Sequence, residues 1–109
     1  MTADALLRGL PGEALIRDGV RDVLEARHTI PALVVSVARE RLIGADVLPR
    51  SAPQISTDPE RELYRMLLAG GGDAYSRYNA LIRELTSFVS SLEARASRNA
   101  ATQKKRPRN

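Results

Sequence analysis

Between Asp73 and Arg98, Tyr75, Tyr78, Ile82, Leu85, Val89, Leu92 and Ala96 recur at alternating spacings of three and four. That alternation predicts one seam of a single long helix. Leu81 and Phe88 flank the seam and widen it into an apolar face, whereas Arg77, Arg83, Glu84, Ser90 and Ser91 lie mostly away from it. Asp73 is the expected cap, and three glycines, Gly70 to Gly72, end whatever precedes it.

Residues 12–27 carry a second amphipathic pattern. Ile16, Val20, Val23 and Leu24 cluster on one side, with Leu15, Gly19 and Ala26 beside them and Glu13, Arg17, Asp18, Arg21, Asp22 and Glu25 opposite. Gly19 in a helix interior costs ~1 kcal/mol against Ala. A neighbouring helix that approaches closely would account for it.

Thr29 caps the next segment, Pro31 suits its first turn, and Leu33, Val34, Val35, Val37, Ala38, Leu42 and Ile43 follow, with near-continuous apolar character in the first two turns. Leu33 to Ala38 is β-branched enough for a buried strand, but Arg39, Glu40 and Arg41 continue to Gly44 without a turn signal, which favours a helix over 30–43 at the centre of the fold. Residues 45–57 hold Pro49, Pro53, Ser51 and Ser56 and read as a long connection pinned by Val47, Leu48 and Ile55. Thr57, Asp58, Pro59 and Glu60 then open a helix over 58–69 with a cap, an early proline and a capping-box glutamate. Thr2 to Leu10 can form a short helix that buries Leu6, Leu7 and Leu10.

The expected fold is therefore all-α: a four-helix bundle-like domain over 1–98, with helices at 12–27, 30–43, 58–69 and 73–98, one long crossing loop, and a disordered basic tail over 99–109. The 26 residues of the last helix outreach a 12-residue neighbour by about 20 Å at 1.5 Å per residue. Its stretch beyond Leu85 is expected to overhang the bundle and meet a second chain.

Composition sharpens this picture. At 43% hydrophobic and 28% charged the chain suits a soluble domain, and 4% aromatics without Trp imply a core of Leu, Ile, Val and Ala. Without cysteine and with one histidine, disulfides, a thiol nucleophile and the usual zinc sites are not expected, nor is any cofactor. The first ten residues lack a secretory pattern and no run approaches a membrane span, so a cytoplasmic protein is expected.

The net charge of +4 is unevenly distributed. Residues 97–109 hold Arg98, Lys104, Lys105, Arg106 and Arg108 and no acid, leaving 12 bases against 13 acids in residues 1–96. Lys104, Lys105, Arg106 and Arg108 are candidates for weak, sequence-independent attraction to nucleic acid; no aromatic is interleaved to stack bases. A solubilising end is the rival explanation.

Three patterns are candidates for chemistry or recognition. Gly70 to Asp73 is glycine-rich before a helix start, but a phosphate loop also requires a following Lys and Ser or Thr, and Asp73 is negative where an anion would sit; a helix-ending turn is the simpler account. Tyr75, Tyr78, Asn79 and Arg83, continued by Phe88, Val89 and Leu92, form the candidate partner surface, because Tyr and Arg combine contact area with directional hydrogen bonds. Rings buried at the seam with solvated arginines would produce the same pattern.

Arg21 and His28 are separated by six intervening residues, and that spacing resembles the Arg–His element of the HEPN superfamily of helical ribonucleases, in which such pairs work across a dimer. The resemblance implies metal-independent RNA cleavage; Asp22 stands where a small polar residue is usual. His28 interacting with a helix C-terminus is the plainer account. The leading expectation is a non-enzymatic protein–protein interaction module that pairs with itself or with another protein.

Overall fold

A computed structural model describes the backbone of residues 3–104 and the side chains of residues 5–98. Six helices follow one another among the described residues: α1 (Ala3–Leu7), α2 (Glu13–Leu24), α3 (Ile30–Val37), α4 (Arg39–Gly44), α5 (Pro59–Ala69) and α6 (Ala74–Lys104). The all-α expectation stands. The short N-terminal helix forms within its expected span, and of the four main helices the one expected over 30–43 is broken at Ala38 (φ −105°, ψ 25°) into α3 and α4.

α3 is the hub. Ala32, Leu33, Val34 and Val35 are inaccessible to solvent, and the helix touches α2, α4, α5 and α6. Such all-round apolar character leaves a helix no solvated face, so it occupies the middle. Ser36 Oγ donates to Ala32 O at 2.9 Å, a back-bond that loosens the end of a helix. Just beyond, the chain turns at Ala38, which lets α4 bury Leu42 and aim Arg41 at Glu93 Oε1 on α6, 2.6 Å away.

α2 crosses α3 at very short range. A methyl group built on Gly19 would lie 2.3 Å from Pro31 O and 2.4 Å from Val35 Cγ2, closer than atoms can approach. Glycine at this position permits the crossing. α2 stops at Leu24, three residues before the expected end, through a left-handed turn at Ala26 (φ 56°) in which Arg27 N–H donates to Asp22 O at 2.8 Å.

The connection 45–58 runs without helix, as expected, and is fastened at both levels. Val47, Leu48 and Ala52 are buried, and the Arg39 guanidinium donates to the carbonyls of Arg50, Ala52 and Pro53 at 3.1, 2.7 and 3.2 Å. Asp58 caps α5 by accepting from Arg61 N–H. Glu60 does not complete a capping box; its carboxylate accepts from the Tyr78 hydroxyl at 3.3 Å instead.

α6 spans 31 residues, about 46 Å, in a molecule measuring 61 × 27 × 19 Å. The overhang beyond Leu85 is covered by this chain itself: Phe88, Val89 and Leu92 are fully buried, and Arg95 donates to Leu6 O and Arg8 O at the end of α1. The helix runs on through residues 99–104, where a disordered tail is expected; residues 105–109 lie outside the described part.

Candidate partner-binding groove

α2 buries Ile16, Gly19 and Val23 against α3, and this contact uses only part of its apolar arc. Val20 and Leu24 are displaced to one side, and Leu24 remains 48% exposed. Together with Leu7 of α1 and Val47 of the long connection they line an open groove of about 410 Å³, whose rim is formed by Arg17, Arg21 and Glu25. The lining is apolar and the rim carries both signs of charge.

Each rim charge has a local partner. Arg17 Nε lies 2.6 Å from Glu13 Oε2, Arg21 reaches Asp18 at 3.5 Å and Asp22 at 3.4 Å, and Arg27 meets Glu25 at 3.0 Å. Apart from the Glu13–Arg17 pair and the Asp22 carboxylate these side chains are about half exposed or more, so the pairs are weak and can exchange for equivalent contacts with another molecule. Asp22 is buried because Thr29 Oγ1 donates to its Oδ2 at 2.7 Å while the same hydroxyl accepts from Ala32 N–H at 3.2 Å. The Thr29 bond, outweighing the opposing effect of burial and aided by Arg21, holds the Asp22 carboxyl below the usual carboxylate range. One hydroxyl thus caps α3 and ties it to the end of α2.

Sequence reasoning missed this groove. Its signal was available: Val20 and Leu24 form a stripe beside Ile16, Gly19 and Val23, a wider apolar arc than one neighbouring helix can cover.

The residues of the expected α6 surface divide into two groups. Phe88, Val89 and Leu92 are buried in the core, on the helix that packs against α1, α3 and α5; this corrects the expectation that they meet a second chain. Tyr75 is 67% exposed rather than seated on the seam, whose place Ala74 takes. A seam of period 3.5 drifts by about 20° per heptad on a straight helix, and over α6 that drift carries the N-terminal end of the stripe past Tyr75. Tyr78 is half-buried with its ring edge-on to Tyr64 at 5.7 Å; burial, then the Glu60 carboxylate, raises its phenol above the ordinary value. Asn79 is half-buried and Arg83 exposed.

The two patterns suggestive of chemistry fare differently from expectation. Arg21 and His28 do not share a helix, since α2 ends between them; Arg21 faces Asp18 and Asp22 while His28 Nε2 lies 3.0 Å from Glu62 Oε2 on α5. At the glycine turn, Asp73 accepts from Ser76 N–H at 3.0 Å and Ser76 Oγ at 2.8 Å, which occupies an amide an anion would need and lowers the Asp73 carboxyl. A smaller depression of about 270 Å³ is lined by Gly44, Ala45, Ala96 and the Arg41–Glu93 pair.

Among the described residues no group of three or more His, Cys, Asp or Glu side chains could hold a metal ion, and no helix is long and apolar enough to cross a membrane. Lys104 lies at the end of α6, and Lys105, Arg106 and Arg108 lie outside the described residues. No protein-family model matches the chain, and no curated protein and no solved structure shows significant similarity to it.

Proposed function

We propose that the chain is a non-enzymatic helical interaction module that pairs with a second copy of itself through the outer stripe of α2. The observation that carries this reading is Leu24, a large aliphatic side chain left 48% exposed beside Val20 on the wall of an apolar groove. Burying its remaining exposed half is worth about 1 kcal/mol per side chain, a standing drive toward association. A second copy is the occupant because the surface complements itself. Two antiparallel α2 helices related by a two-fold axis set Val20 of each copy against Leu24 of the other and bring Arg21 of each within side-chain reach of the other's Glu25. The exposed ion pairs on the rim exchange across such an interface at little cost.

Sedimentation velocity on the full chain tests the proposal. A dimer is expected at about 100 μM, dissociating on dilution with a micromolar constant. Leu24→Arg, at a half-exposed site, is expected to remain folded by circular dichroism and to sediment as a monomer. A wild-type chain that is monomeric at that concentration, or a Leu24→Arg dimer of unchanged affinity, overturns it.

A further inference from the structure

The tyrosines of the chain, Tyr64, Tyr75 and Tyr78, gather on one edge of the α5–α6 hairpin. Tyr64 and Tyr78 meet across it, with ring centroids 5.7 Å apart and planes at 78°. One helical turn nearer the glycine turn, Leu68 follows Tyr64 by four residues and Tyr75 precedes Tyr78 by three. These two are the most exposed large apolar side chains among the described residues, at 55% and 67%. The turn between them is held: Asp73 caps α6 by accepting from Ser76 N–H, and the Arg77 guanidinium donates to Gly71 O at 3.1 Å.

The bonding capacity left beside this edge is cationic. Asp58 accepts from the Arg61 amide, Glu60 from the Tyr78 hydroxyl, and Glu62 Oε2 lies 3.0 Å from His28 Nε2, so each carboxylate of α5 and its cap has a partner. Arg61 and Arg65 sit one turn apart on the exposed face of α5, three residues before Tyr64 and Leu68. Among the described residues their guanidiniums form no ion pair.

From this juxtaposition we infer that the turn end of the α5–α6 hairpin docks an acidic segment of a different protein, whose apolar side chain covers Leu68 and Tyr75 while its carboxylates pair with Arg61 and Arg65. Guanidinium forks match carboxylates in shape as well as charge, and Tyr and Arg are the residue types that anchor interfaces. A turn already held in place costs little further ordering when a partner arrives. A second copy is a poor occupant, because a two-fold pairing of this edge would bring the guanidiniums of both copies together without a free carboxylate. Single-stranded nucleic acid is a poor one too. Bases need open aromatic faces, and Tyr64 and Tyr78 are half-buried against each other, which leaves Tyr75 alone.

The inference stands independently of the α2 groove and is tested on the full chain by fluorescence anisotropy with labelled peptides of about twelve residues. One carries Glu and Asp with Leu at helical spacing, a second has Lys for every acid, and a third has Ser for every Leu. The first should bind with a micromolar constant, at least about tenfold tighter than the other two. The double variant Arg61→Gln, Arg65→Gln and the single variant Tyr75→Ala, all at exposed positions, should each weaken it at least about tenfold while melting like the wild type. Leu24→Arg should bind it as the wild type does, even where dimer formation is lost. Absence of binding by the first peptide overturns the inference, as does equal binding of the second or third. Undiminished affinity in either edge variant also overturns it, and so does loss of binding in Leu24→Arg, which would seat the peptide in the α2 groove. Tighter binding of labelled oligothymidine than of any peptide overturns it as well, assigning the edge to single-stranded nucleic acid.

Discussion

At the scale of single residues, small groups decide how closely the helices come together. Gly19 has neither unusual φ nor a turn to serve; its missing side chain is what lets α2 rest on Pro31 O and Val35. Gly19→Ala gains about 1 kcal/mol in helix propensity yet must open that crossing, so a net loss of about 1–3 kcal/mol is expected by urea denaturation. An unchanged midpoint would mean that α2 and α3 do not meet at this distance. The requirement was legible in the sequence as an unexplained glycine inside an amphipathic helix. What it approached was not, because Pro31 and Val35 lie on an element whose orientation no local pattern specifies. Asp22 was likewise indistinguishable from its solvated acidic neighbours. Only the fold brings the Thr29 hydroxyl to it and makes it a buried link.

At the scale of elements, boundaries followed local signals wherever those signals were chemical. Thr29 and Asp73 each cap the helix that the sequence assigns to them, and Asp58, one of two residues at the expected start of α5, caps that helix, all three by accepting from the amide three residues on. Breaks without such a signal went unseen. Neither glycine nor proline marks Ala38, and the turn there arises because α3 is enclosed while α4 must reach α6. The long connection was legible as a loop from its prolines, but its fastening was not, because Arg39 reads as one charge in a charged run. Its guanidinium satisfies three carbonyls that would otherwise rely on water. Arg39→Met keeps the aliphatic stem and removes these bonds, with an expected loss of about 1–3 kcal/mol. Trypsin should cleave after Arg50 several-fold faster in this variant, reporting local opening of the segment. Unchanged proteolysis would show that Val47, Leu48 and Ala52 hold the loop unaided.

At the scale of the whole molecule, electrostatics tie distant elements together. Asp22, Asp73 and Glu93 all have carboxyls held below their ordinary values of 3.8, 3.8 and 4.5, first by hydrogen bonds from Thr29, from the Ser76 backbone and from Arg41 respectively. A carboxyl whose folded value is lowered stabilises the fold above its unfolded value, and that contribution disappears as pH falls through the folded one. Thermal stability is therefore expected to hold down to about pH 5 and to decline steadily below pH 4, as measured by melts across that range. A melting temperature unchanged at about pH 3 would mean that these bonds contribute nothing net.

The sequence by itself determined that the chain is helical, where five of its helices begin, and that the positive charge gathers at one end. Periodicity, caps and charge are local properties carried by neighbouring residues. The tertiary structure alone decided which apolar faces are used up. Phe88, Val89 and Leu92 were as apolar as Val20 and Leu24 in the pattern, yet the first three are buried within this chain while Leu24 stays half uncovered. A hydrophobic stripe specifies that something must cover it. Whether the cover comes from the same chain depends on helix lengths, crossings and connections acting together, and those are settled only when the chain is packed.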